Sequence, residues 1–177
     1  MMFLPQRPYL PLGTLRAVLA YPAPADAFDG EAMAAALRRC GLDDLPGRLD
    51  EEERWDRTLS PGEQQRLAFA RALLHRPRWI FLDEATAALD EANQDAMMRL
   101  LQDELPASAV VSIGHRPGLD RHHDRVLVLE PSPEGAVLGN GDGRAADGPP
   151  PGGEAGREPP GQGFFAGLRQ ALSRRSG

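Results

Sequence analysis

The 177-residue sequence contains no lysine; all 20 basic residues are arginine. A phosphate-cradling loop of the form G-x-x-x-x-G-K-[ST] is therefore excluded from it, because that motif needs a lysine to reach the phosphates. Basic excess is missing too. The formal net charge of −6 argues against a general nucleic-acid binder, which neutralises phosphates with surplus positive charge. A single cysteine, Cys40, excludes an internal disulfide and fits a reducing compartment. No apolar run approaches the roughly 18–20 residues of a membrane span, and no signal-peptide pattern follows Met1. Internal repeats are absent, and the length allows one domain with a tail.

The stretch that organises what is present is Leu59-Ser60-Pro61-Gly62-Glu63-Gln64-Gln65-Arg66. Ser60 reads as a helix N-cap, Pro61 as the first helical residue and Glu63 as the third, closing a capping box. That leaves the Ser60 hydroxyl, the N–H groups around Gly62 and the positive helix end available to an anion. The helix runs through Leu67, Ala70, Arg71 and Leu74 and must stop near Pro77. A short apolar run, Trp79 to Leu82, then reads as a buried strand that delivers Asp83 and Glu84 to its C-terminal end.

In this order, and followed by Ala85-Thr86-Ala87-Ala88-Leu89-Asp90, these segments resemble the ATP-binding-cassette (ABC) family. Leu59 to Arg66 is similar to its signature motif, Ile80 to Glu84 to its Walker B strand, and Ala88-Leu89-Asp90 to its D-loop. Pro61-Gly62-Glu63 stands where many members have Gly-Gly-Gln, a variant that keeps the Ser-x-Gly core. Upstream, Phe3-Leu4-Pro5-Gln6-Arg7-Pro8-Tyr9 with Gly13-Thr14-Leu15-Arg16 and Tyr21-Pro22 resembles the peroxisomal fatty-acyl-CoA half-transporters and their bacterial cobalamin and peptide-uptake relatives. The resemblance covers residues 1 to about 130. It implies an incomplete α/β P-loop NTPase domain, with a parallel sheet core, a helical subdomain and a disordered C-terminal tail.

The resemblance divides the chain in order, and makes residues 1–25 the Q-loop segment. Met1 to Leu4 leave no room for a complete strand, and the prolines from Pro5 to Pro11 forbid helix. Gln6 on that stiff segment is either a surface loop residue or one that reaches a ligand; the resemblance makes it the Q-loop glutamine. Residues 26–76 make the helical subdomain with the signature: a helix from Asp29 to Cys40 stopped by Gly41, then turns and an acidic run, Asp50 to Glu53, read as a solvated face. Residues 77–130 supply the ATPase core. In it, Glu91 to Leu105 is an amphipathic helix with Ala92, Ala96, Met97, Leu100, Leu101 and Leu105 inward. Ala109 to Gly114 is a second buried strand ending at His115, and Val126 to Leu129 a last strand. His115 falls in Ser112-Ile113-Gly114-His115-Arg116, which resembles the H-loop; His75, His122 and His123 read as structural or surface residues. About half of residues 131–163 are Gly or Pro, which predicts a disordered linker. Residues 164–177, with Phe164, Phe165, Leu168 and Leu172 on one face and Arg169, Arg174 and Arg175 beside it, read either as an amphipathic membrane- or partner-binding peptide or as a frayed tail.

The resemblance implies a division of labour. Glu84, His115 and Gln6 are the catalytic set. Asp83 and Gln6 hold Mg²⁺. Ser60, Gly62 and Gln64 contact ATP held by a second cassette in a head-to-tail dimer, and Asp90 couples the two sites. The implied partners are that second nucleotide-binding domain and a transmembrane domain, at the cytoplasmic face of the inner membrane, with no nucleic acid. Two other expectations stand beside an ATP-hydrolysing transporter subunit: a non-catalytic partner that lends its signature to another cassette, and a degenerate soluble ABC protein.

Overall fold

In a computed structural model, residues 1–114, 116, 118–133 and 135–138 are described. The expected linker beyond residue 138, the tail with Phe164, Phe165, Leu168 and Leu172, and His115 lie outside them.

The apolar run near the middle of the chain builds the central strand, β4 (Trp79–Asp83). It is flanked on both sides by parallel partners, β1 (Met2–Pro5) and β5 (Ala109–Ile113), in the order β1-β4-β5. The N-terminal residues thus do form a strand, contrary to expectation. Four residues suffice because β4 supplies the ladder that an isolated tetrapeptide lacks. Side chains alternate across the sheet. Leu4, Ile80 and Leu82 face inward and are fully buried, whereas Phe3, Trp79, Val111 and Ile113 are exposed on the other side. The strand at Ala109–Ile113 is therefore not buried as expected, since no layer among the described residues covers its outer face.

Beneath the inner face lies α4 (Pro61–His75). Its run from Leu67 to Ala72 is buried almost all round, as a helix enclosed by neighbours should be. It packs against β1, α1 (Leu15–Ala20), α2 (Gly30–Arg39) and α5 (Glu91–Glu104). α4 ends at Arg76, whose left-handed backbone (φ 45°) turns the chain into Pro77. The Asp29 cap opens α2 as expected, and Gly41 follows its end at φ +68°. Met33 and Leu37 on its inner face are fully buried, a contribution of about 1.5–3 kcal/mol each.

A two-residue ribbon pairs β2 (Gly13–Thr14) with β3 (Glu52–Glu53). The short helix α3 (Trp55–Thr58) follows. The Trp55 indole donates to the Gly13 carbonyl at 3.2 Å and carries the Arg48 guanidinium over its face at 4.9 Å. The acidic run is exposed, and its charges are met by Arg16 at Asp50 (2.9 Å) and by Arg48 at Glu51 and Glu53 (2.7 and 2.8 Å).

On α5 the inward residues are Gln94, Met97, Met98 and Leu101, while Ala92 and Ala96 are exposed. A polar side chain holds the core position there because Thr86 donates its hydroxyl to Gln94 Oε1 at 3.0 Å. The last strand also departs from expectation. Instead of Val126–Leu129, a ribbon pairs β6 (Leu129–Ser132) with β7 (Gly135–Leu138), drawing in the first residues of the expected linker. Gly135, at φ +122°, supplies a turn conformation that other residues resist. Three histidines behave structurally: His75 Nε2 lies 2.8 Å from the Ala20 carbonyl, His122 Nε2 lies 2.9 Å from Asp95, and His123 is partly buried.

Candidate functional site

Strand register decides which residues meet. Pro5 pairs with Asp83, and Asp83 with Ile113, so three parallel strands end level. Gln6, Glu84 and Gly114 step off side by side, at the C-terminal strand edge where α/β sheets bind ligands. Asp83 is half-buried there. Glu84 leaves the strand with a left-handed backbone, φ 49°, a conformation that costs a non-glycine residue of order 1–3 kcal/mol. Its own N–H holds the kink by donating to the Ile113 carbonyl at 2.9 Å.

From Glu84 the chain folds into a tight turn. Ala87 N–H donates to the Glu84 carbonyl and Leu89 N–H to the Thr86 carbonyl, at 2.9 and 3.0 Å. Arg116 reaches across to donate to the carbonyls of Thr86 and Leu89. Asp90 closes the turn as the N-cap of α5, accepting from Asn93 N–H at 2.8 Å. A half-open hollow of about 130 Å³ lies between Glu84, Thr86, Ala87, Gly114, Arg116 and Leu119.

The N-terminus of α4 approaches the same turn. At Gly62 an added Cβ would come within 3.3 Å of the Ala88 carbonyl oxygen and 3.7 Å of Leu89, so the backbones meet closely because this residue has no side chain. The capping box is complete. The Ser60 hydroxyl accepts from Glu63 N–H at 3.3 Å, and Glu63 Oε2 accepts from Ser60 N–H at 2.8 Å. The expectation of a free Ser60 hydroxyl fails, however. Ser60 Oγ donates its proton to Glu63 Oε2 at 2.6 Å. Those Ser60 bonds hold the Glu63 carboxyl below the usual carboxylate range. Gln64 is engaged likewise: its amide donates to the carbonyls of Asp56 and Leu59 at 3.0 and 2.9 Å, closing the end of α3.

Gln6 has an exposed side chain, while its carbonyl accepts from the Gln65 amide at 2.9 Å. Gln65 and Arg116 were not singled out by sequence reasoning. A glutamine on the buried stripe of α4 was the available signal for the first; for Arg116 nothing local marks a side chain that binds carbonyls 27 and 30 residues away. Among the described residues, no three His, Cys, Asp or Glu side chains cluster so as to hold a metal by themselves.

Residues 12–87, from the β2 strand into the Glu84 turn, match the family model for ABC transporters. The chain belongs to the ABC transporter ATP-binding family. An ABC transporter ATP-binding protein of Haemophilus influenzae is 45% identical over 137 residues, which are 77% of this chain and 23% of that protein. The lysosomal cobalamin transporter of Mus musculus is 38% identical over 138 residues, covering 72% of this chain and 22% of its own length. Among solved structures, a bacterial Atm1-family ABC exporter with ATP bound superposes with a TM-score of 0.62 at 31% identity, over 73% of this chain and 23% of that one. This ABC domain segment thus spans about a quarter of the length of the proteins it matches. None of its described helices is long and apolar enough to cross a membrane.

Proposed function

We propose that this chain supplies the Walker B, signature, D-loop and H-loop part of an ATPase that drives transport across a membrane. One observation carries the reading: the level strand ends bring Gln6, Asp83 and Glu84 to one edge, with the backbone kinked at Glu84, the second residue of the acidic pair.

Magnesium suits the donors present. It takes one or two protein carboxylates and completes its shell with phosphate and water, and Asp83 at the end of the central strand offers such an oxygen beside Gln6. When bound, the ion neutralises charge on the phosphate oxygens. Asp83 and Gln6 would hold it. Glu84 accepts a hydrogen bond from the attacking water and orients it, with His115 at the γ-phosphate. Ser60, Gly62 and Gln64 face nucleotide bound by a second cassette across a head-to-tail dimer, and Asp90 couples the two sites. Because the chain has no lysine, the lysine of the phosphate loop comes from another segment or chain. By itself the chain hydrolyses ATP at background rate. The partner in the membrane is a transmembrane domain, with these residues on its cytoplasmic face.

The absent lysine also favours a second reading, in which the chain only lends Ser60 and Gly62 to a complete cassette. The test grafts residues 1–130 into the matching stretch of the Haemophilus influenzae relative. The graft should hydrolyse ATP, and Ser60→Arg should abolish hydrolysis while ATP binding persists. Stimulation of a separate, intact cassette by the ungrafted chain, with an inert graft, would favour the second reading.

A further inference from the structure

Gln65 is 1% exposed, and both ends of its amide are occupied. Nε2 donates to the Gln6 carbonyl and Oε1 accepts from the Ala88 N–H, each at 2.9 Å. Only this orientation of the amide satisfies both partners, since a carbonyl cannot donate and an N–H cannot accept. A leucine would fill the same space but leave the part-buried Gln6 carbonyl and Ala88 N–H without these partners, so packing alone does not account for a glutamine here. The residue sits one turn beyond Gly62, which meets the backbone of the same Ala88 turn. One turn of α4 therefore touches the turn between Glu84 and Asp90 twice, and through Gln65 it also grips the segment that carries Gln6.

We propose that Gln65 is a positioning residue that locks the Gln6 segment to the Ala88 turn, so that the two shift together. The consequence rests on the function proposed above: a displacement at Gln6 reaches the Glu84–Asp90 turn through one side chain, without touching nucleotide. Both hydrogen bonds of the Gln65 amide go to backbone.

Two variants of the 177-residue chain separate the two ends. Gln65→Leu removes both bonds. Gln65→Glu keeps an acceptor for Ala88 N–H but places a carboxylate against the Gln6 carbonyl. By amide hydrogen exchange, Ala88 should exchange about tenfold faster in Gln65→Leu, the loss of about one net hydrogen bond. It should stay within about twofold of wild type in Gln65→Glu, while the Gln6 and Arg7 resonances move in both. Unchanged Ala88 exchange in Gln65→Leu overturns the bridge. In the graft, both variants should lower kcat, expressed per mole of folded, ATP-binding protein so that a lost folded fraction is removed from the comparison, about tenfold with the KM for ATP unchanged. Unmoved kcat in a graft that Glu84→Gln inactivates overturns the positioning role and leaves the proposed function standing. A wild-type graft without ATPase activity defeats the proposed function, and exchange at Ala88 then decides the bridge alone.

Discussion

Replacing Arg71 tests whether a buried cation without a counter-ion holds this fold together or strains it. Arg71 is 6% exposed near the middle of α4, and among the described residues no carboxylate pairs with it. Its Nε donates to the Val18 carbonyl and its Nη1 to the Tyr9 carbonyl, both at 2.8 Å; Nη2 has no partner. The guanidinium also lies 5.6 Å from the centre of the Tyr21 ring. Burial pulls its pKa well below the ordinary arginine value, to about 10, a displacement worth about 3 kcal/mol against the charged form. On the other side, two carbonyls left unpaired cost about 1–3 kcal/mol each, and the contact with Tyr21 adds about 0.5–1. Central values leave the arginine ahead by about 2 kcal/mol. Arg71→Met, which keeps the apolar stem, should therefore lower the unfolding free energy by about that amount. Arg71→Lys should lose at least as much, because one ammonium cannot serve both carbonyls with a planar fork. Urea unfolding followed by fluorescence of the buried Trp55 measures both. Equal or greater stability in Arg71→Met would refute the reasoning, showing that the burial of charge outweighs the bonds.

Other consequences follow from the same contacts. Ser60→Ala removes the cap of α4 and should lose about 1 kcal/mol, with faster amide exchange at Glu63. Asp95 is held below its ordinary value of 3.8, first by His122 and then by Arg121. The stability it contributes is complete above the unfolded value and is lost as pH falls through the folded one. Acidification below about pH 4 should then loosen the Leu119–His122 turn first, and Asp95→Asn should remove that acid step in an exchange experiment. The outer sheet face, with Phe3, Trp79, Val111 and Ile113 exposed, should make the isolated chain poorly stable and prone to aggregate. Val111→Lys should raise its soluble yield, and an unchanged yield would count against the expectation.

What could be read in the sequence was local. The capping box at Ser60 and Glu63 is a rule about residues three apart, and the Asp29 cap and Gly41 stop are of the same kind. The run from Trp79 to Asp83 declares a strand by composition and length. What stayed hidden depended on distant partners. Four residues at the N-terminus become a strand only because β4 lies alongside. Gln65 finds its bonds 59 and 23 residues away. The Ser60 hydroxyl turns to Glu63 for a chemical reason: the carboxylate at the third helical position attracts a hydroxyl hydrogen more strongly than a neutral amide would. Exposure of β5 depends on what lies over the sheet, which periodicity within five residues cannot report.

In the proposed ATPase, Glu84, set on its kinked backbone beside Asp83, acts on the water that attacks ATP. Glu84→Gln in the grafted ATPase tests it most directly, with equilibrium ATP binding and steady-state hydrolysis measured on the same preparation. Hydrolysis should fall to background, with ATP affinity equal to that of the unmutated graft. Loss of ATP binding along with hydrolysis would contradict it, and would make Glu84 a structural residue of the turn.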